Sequence, residues 1–163
     1  MLGDTNALLF TGTYEHAIDA KQRLAIPADV RDRLNPDSDG KAFYAVVQEG
    51  PTLCLYTERG FEKRADQLDQ SDLPPEQVLE YERIFFALAR RVELDKQGRI
   101  RLPEQLLKMT DLDRDVVLIG VKDHLELHDR PSYYQRMSRM LEEKPELLMN
   151  PRRVIGRRAK ESQ

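Results

Sequence analysis

The sequence predicts an α+β fold in which two copies of one unit form a pseudo-twofold pair around a shared core. Three observations lead there. A ten-residue pattern occurs twice, at 18–27 and 94–103. The residues after each copy repeat the same order of alternating and helical stretches. Finally, a half of roughly 70–80 residues with such short strands buries too little apolar surface to stand alone.

The first copy reads Ile18-Asp19-Ala20-Lys21-Gln22-Arg23-Leu24-Ala25-Ile26-Pro27, and the second Leu94-Asp95-Lys96-Gln97-Gly98-Arg99-Ile100-Arg101-Leu102-Pro103. Both share an aliphatic residue, Asp, three residues, Arg, aliphatic, any, aliphatic, Pro, at an offset of 76. Leu24 and Ile26 alternate with Arg23 and Ala25, and Ile100 and Leu102 with Arg99 and Arg101, which is the period of a half-buried strand. Pro27 and Pro103 end these strands and suit the first turn of a helix, expected over 28–34 and 104–109. Strand-like runs follow at 43–47 and 116–121, then at 52–56 and 124–128. Leu53 and Leu55 match Leu125 and Leu127 at an offset of 72, so an indel of four separates the two registers. An aromatic-led helix closes each copy, at 61–68 and 133–141. Between the copies, Pro75 opens a helix to about residue 90. Its stripe of Val78, Leu79, Tyr81, Ile84, Phe85, Leu88 and Ala89 reads as packing surface. The expected organisation is a first repeat over 10–56 with a helical extension to about 90, a second over 91–129 with an extension to about 142, and a basic, disordered tail over 150–163.

Composition narrows the function classes. Of 163 residues, 34% are charged and 40% hydrophobic, the balance of a globular chain rather than a disordered or membrane-embedded one. The first ten residues hold Asp4 and no basic stretch, so a secretory leader is not expected. One cysteine, Cys54, leaves no intrachain disulfide framework, and the expected compartment is cytosolic. The net charge is −3, but it is segregated. Residues 57–82 carry net −5, residues 90–108 net +3 and residues 150–163 net +4, so a chain that is acidic as a whole still presents basic surfaces.

The paired Asp-x-x-x-Arg turns carry the chemistry. A carboxylate four residues before an arginine lies across a tight turn, where it can pair with the guanidinium or accept turn N–H groups and hold the fork in one rotamer. Arg23 and Arg99 then suit bidentate contact with guanine O6 and N7. Lys21, Lys96 and Arg101 suit phosphates, or simply water. From spacing alone, a structural role and a DNA-contacting role both fit these turns. His124, Glu126 and His128 share one strand face and could ligate a metal, but with Leu125 and Leu127 turned to the core they are expected to face water, and no metal or cofactor is expected. Cys54 shows no His partner at motif level and His16 reads as structural; no phosphate loop or nucleophile elbow is present, so no enzyme is expected.

On the residues Phe10-Thr11-Gly12-Thr13-Tyr14-Glu15-His16-Ala17-Ile18-Asp19-Ala20-Lys21-Gln22-Arg23-Leu24-Ala25-Ile26-Pro27, on Leu94-Asp95-Lys96-Gln97-Gly98-Arg99-Ile100-Arg101-Leu102-Pro103, and on Val116-Val117-Leu118-Ile119-Gly120, the sequence resembles the MraZ family of bacterial transcriptional regulators. The resemblance covers about 10–141. It implies two AbrB-like swapped-hairpin repeats in one pseudo-twofold β-barrel, ring-like homo-oligomers, and a cytoplasmic, nucleoid-associated repressor. Its implied partner is double-stranded DNA, at repeated operator elements upstream of cell-division and cell-wall genes, with no membrane and no small-molecule substrate. It tips Arg23 and Arg99 toward DNA; Asp19 and Asp95 are expected to position the turns, because a carboxylate facing phosphate is repulsive. Two departures stand out: Gln22 replaces a usual Gly, which raises the expectation of an altered first turn, and His128 replaces a usual Trp. Two other functions fit the residues: an antitoxin-like or scaffold module on the same fold that acts through protein partners, and a metal-dependent enzyme built on the His124 cluster.

Overall fold

The computed structural model describes residues 8–69 and 72–149. The basic stretch at 150–163 lies outside the described residues. One compact unit runs to Asp129 and a second begins at Arg130.

In the first unit, β1 (Thr13–Ala17), β2 (Arg23–Ala25), α1 (Ala28–Arg33), α2 (Pro36–Asp39), β3 (Ala42–Gln48), β4 (Thr52–Thr57) and α3 (Glu58–Leu68) are followed by α4 (Pro75–Leu88). Then come β5 (Arg90–Glu93), β6 (Arg99–Arg101), α5 (Glu104–Thr110), β7 (Asp115–Val121) and β8 (His124–Asp129). Pro27 and Pro103 stand one residue before α1 and α5, with extended backbone, so each ends a strand and opens a helix as its fixed φ favours. Thr57 caps α3 by accepting the Gly60 N–H.

All strand pairs are antiparallel. Six strands form one sheet in the order β1-β7-β8-β4-β3-β5, and β2 pairs with β6 in a separate ribbon. The order is palindromic under exchange of the sequence copies: β1 answers β5, β7 answers β3 and β8 answers β4. Neither copy keeps its first strand to itself. β1 of the first copy pairs with β7 of the second, and β5 of the second pairs with β3 of the first. The centre of symmetry falls at Cys54↔Glu126 in the sheet and at Leu24↔Ile100 in the ribbon.

The expected closed barrel is not formed. β1 and β5 end the six-stranded sheet at opposite edges. β2 and β6, three residues each, are spent on one another and extend neither edge. The ribbon instead lies over one sheet face. Leu24, Ile26, Ile100 and Leu102, with Val30 of α1 and Leu106 of α5, bury against Phe43, Ala45, Leu53, Leu55, Val116, Leu118, Leu125 and Leu127. A second cluster gathers Val46, Cys54, Tyr56, Phe61 and Phe85, with the Phe61 ring stacked on Tyr44 at 4.3 Å. α4 does not use its apolar stripe as expected. Phe85 is buried, whereas Leu79, Tyr81, Ile84 and Phe86 are exposed.

The first turn also corrects an expectation. Gln22 adopts φ 62, close to Gly98 at φ 75, so the backbone is kept although a side chain replaces hydrogen at a left-handed position. The second unit holds α6 (Arg130–Glu143) and α7 (Glu146–Met149). Among the described residues, no helix is long and apolar enough to cross a membrane.

Two substitutions test this account. Gln22→Gly removes left-handed strain and is expected to stabilise the protein by about 1 kcal/mol, read by denaturant unfolding. Gly120→Ala places a methyl against the backbone of Phe10 and Thr11, with the Phe10 carbonyl carbon at 2.6 Å. It is expected to destabilise by about 1–3 kcal/mol, since backbone rather than a side-chain end must yield.

Candidate nucleic-acid interface

The two polar turns are matched bond for bond. Asp19 Oδ1 accepts the backbone N–H groups of Lys21 at 2.9 Å and Arg23 at 2.8 Å, and its Oδ2 takes Arg23 Nε at 2.6 Å. Asp95 Oδ1 accepts the N–H groups of Gln97 and Arg99, each at 2.9 Å, and its Oδ2 takes Arg99 Nε at 2.9 Å. Backbone bonds close each turn: Gln22 N–H donates to Asp19 O, and Gly98 N–H to Asp95 O. The Arg23 backbone N–H, and then its guanidinium, hold the Asp19 carboxyl below its ordinary range; Arg99 does the same to Asp95. Both carboxylates therefore stay charged at neutral pH and keep their arginines oriented.

Each turn is also tied to the opposite copy. Leu102 N–H donates to Gln22 O at 2.8 Å, and Ile26 N–H to Gly98 O at 2.9 Å. The ribbon between the turns puts Leu24 and Ile100 into the core, so the alternate residues share its outer face. Across that face Arg23 stands opposite Arg101, and Ala25 opposite Arg99. Three of the sequence-predicted cations thus converge on one two-stranded platform. Lys21 and Lys96 are exposed on the turns, at unmatched positions: Lys21 aligns with Gln97, and Lys96 with Ala20. The Asp carboxylates occupy the Nε edge of Arg23 and Arg99, which leaves the Nη hydrogens of each fork for a ligand.

Other bases of the 90–108 stretch serve the chain itself. Arg90 Nη1 donates to the carbonyls of Ala87 and Ala89 at the end of α4. Arg91 pairs with Glu58 at 2.5 Å and Glu93 at 2.6 Å, and Lys108 with Glu104 at 2.9 Å. One cation beside the platform escaped the sequence reading. Arg31 of α1 donates from Nε to Ile26 O, and its guanidinium lies 2.6 Å from where a Cβ on Gly98 would stand. The signal was a break in the repeat: the aligned residue of the second copy is Leu107.

The His124 cluster does not face open water, contrary to expectation. The side chains of His124, His128 and Glu126 are 13%, 12% and 24% exposed. They lie on the sheet face opposite the main core, where Tyr56 stacks on His124 at 5.0 Å. His124 Nδ1 lies 2.8 Å from Asp123 and its Nε2 3.1 Å from Glu126, whose second oxygen meets His128 Nε2 at 2.8 Å. Hydrogen bonds from His124 and His128 hold Glu126 down at about 2. Burial opposes the His124 imidazolium, but Glu126 and Asp123 outweigh it and raise its pKa. Burial pushes the Cys54 thiol up to about 12, so it is protonated at neutral pH.

Comparison with known proteins gives the chain's family. Residues 85–148 match the family described as "MraZ protein, putative antitoxin-like". A transcriptional regulator MraZ of Mesoplasma florum is 34% identical over 126 residues, 77% of this chain and 84% of that protein. One of Salinispora arenicola is 36% identical over 127 residues, 77% and 84% of the two chains. One of Mycoplasma capricolum is 33% identical over 135 residues, 81% and 96%. These alignments cover most of both chains at identities that mark common descent, and the chain belongs to the MraZ family.

Proposed function

We propose that this chain is a transcription regulator that reads double-stranded DNA with the outer face of the β2·β6 ribbon. The observation that carries the reading is the pair of Asp-locked arginine turns at the two ends of one ribbon, with Arg101 facing Arg23 beside the first. A two-stranded β-ribbon fits the major groove, about 12 Å wide, and a guanidinium whose Nε edge is held elsewhere can offer its Nη edge to guanine O6 and N7. Arg23 and Arg99 make base contacts in this reading. Lys21, Lys96 and Arg101 neutralise phosphates, Asp19 and Asp95 position the turns, and Arg31 adds charge beside the second turn. Names borne by the relatives support regulation of transcription.

The finer reading extends the family resemblance. Residues 10–56 and 91–129 are two AbrB-like swapped-hairpin repeats; the exchange of first strands between copies supports it. The protein is a cytoplasmic, nucleoid-associated, non-enzymatic repressor acting on repeated elements upstream of cell-division and cell-wall genes. It works as a closed homo-oligomer, possible because the exposed apolar residues of α4, Leu79, Tyr81, Ile84 and Phe86, offer a self-association surface. Several linked ribbons on repeated elements raise avidity about 100- to 10,000-fold over one.

Binding and unfolding measured on the same variants test the interface. Arg23→Ala and Arg99→Ala are each expected to cost about 1–3 kcal/mol of specific binding per engaged subunit, with thermal unfolding little changed. Lys21→Ala and Lys96→Ala are expected to weaken binding to all sequences and to make the salt slope shallower by about 0.9 per engaged subunit. A double Arg23→Ala, Arg99→Ala variant that binds its selected DNA normally defeats the proposal; a protein-partner role then accounts for the family's antitoxin-like description. Light scattering is expected to return a multiple of the 19.0 kDa chain mass, and Ile84→Asp to lower it. A monomer at working concentration rules out the oligomeric reading.

A further inference from the structure

We infer that Cys54, His124 and Glu126 form a Zn2+ site at the centre of symmetry of the six-stranded sheet. Cys54 of β4 and Glu126 of β8 are direct register partners at that centre, and His124 is two residues along the same face of β8. One ligand atom from each of the three lies within 4.8 Å of the others. Ligands around a tetrahedral zinc, with Zn–S near 2.3 Å and Zn–N and Zn–O near 2.1 Å, lie roughly 3.5 Å apart. Rotamer adjustment of about 1 Å therefore closes the set.

The surroundings are those of a ligand set. His124 Nδ1 is held by Asp123 at 2.8 Å, which fixes the ring and turns Nε2 toward Cys54 and Glu126. His128 Nε2 holds the second Glu126 oxygen at 2.8 Å. Both donors thus have the outer partner that ligating imidazoles and carboxylates use. Arg64 of α3 has its Nε buried with no hydrogen-bond partner among the described residues. Thiolate and imidazole select zinc over magnesium or calcium. On coordination the Cys54 thiol gives its proton to solvent, and thiolate plus carboxylate balance the dication. The fourth tetrahedral position falls to water.

Symmetry sharpens the argument. At the offset of 72, His124, Glu126 and His128 align with Thr52, Cys54 and Tyr56. The repeat is broken on this face, while the core leucines beside it are kept. The site is therefore made once per chain, from both copies, and zinc there fastens β4 to β8 across the seam between them.

The full-length chain, stripped with a chelator and titrated with Co2+ alone, tests the inference. The expected result is one Co2+ per chain, with thiolate-to-metal charge-transfer absorption in the near ultraviolet, displaced by Zn2+. Cys54→Ser is expected to abolish that absorption, and Glu126→Gln to weaken binding at least tenfold. Asp123→Ala is expected to weaken it about 10- to 100-fold through His124. Zn2+ is expected to raise the unfolding midpoint of the unsubstituted protein, as any ligand confined to the folded state does. His16→Ala, on β1, is expected to change neither readout. Absence of the charge-transfer band, or binding that survives Cys54→Ser and Glu126→Gln or is lost in His16→Ala, overturns the inference.

Discussion

Leu24 and Ile100 face each other at the middle of a ribbon only three residues wide on each side, and the rest of the first unit depends on that pairing. Both are fully buried, so the ribbon is pulled onto the sheet by its centre. The strand ends are then fixed by bonds that cross between copies, Leu102 to Gln22 and Ile26 to Gly98. Because β1 and β5 also pair across copies, neither half has a complete set of backbone partners without the other. The exchange makes one cooperative unit out of two pieces that are each too small to hold a core.

That constraint explains why polar turns can be so regular. A projecting loop usually gains rigidity from contacts around it. Here a single carboxylate does the task from within, accepting two backbone N–H groups and one guanidinium N–H in each turn. The geometry is strong enough to hold Gln22 in a left-handed conformation that glycine takes at no steric cost. The same bonds keep Arg23 and Arg99 from sampling the many rotamers of a free arginine, so little entropy remains to be lost when a ligand arrives.

Much of this was legible in the sequence, and the reasons are specific. Alternation around Leu24 and Ile100 located the ribbon strands, Pro27 and Pro103 located the helix starts, and the offsets of 76 and 72 showed the copies. The grouping of Arg23, Arg99 and Arg101 followed from period two once Leu24 and Ile100 were core. What could not be read was the pairing between elements. Local periodicity does not say which strand lies beside which, and the closed barrel that the resemblance implied gives way to an open sheet with the ribbon laid over it. The same gap misplaced the His124 cluster. Alternation put it opposite Leu125 and Leu127, but only the tertiary arrangement brings Tyr56 and Cys54 alongside and takes that face out of water. Arg31 was not legible because no local pattern relates a helix residue to a turn more than sixty positions away.

The ribbon's symmetry is imperfect in one consequential place. Where Arg23 looks across at Arg101, Arg99 looks across at Ala25, and Arg31 flanks the second turn where the first has Leu107 at the aligned position. A perfect twofold ribbon would present the same face to a ligand run along it in either sense. This one has a head and a tail. A helical polymer lying along it meets two facing guanidiniums near one turn and a guanidinium facing a methyl near the other, so reversing the polymer exchanges unlike surroundings. Divergence between the copies has turned a two-way platform into one with a direction.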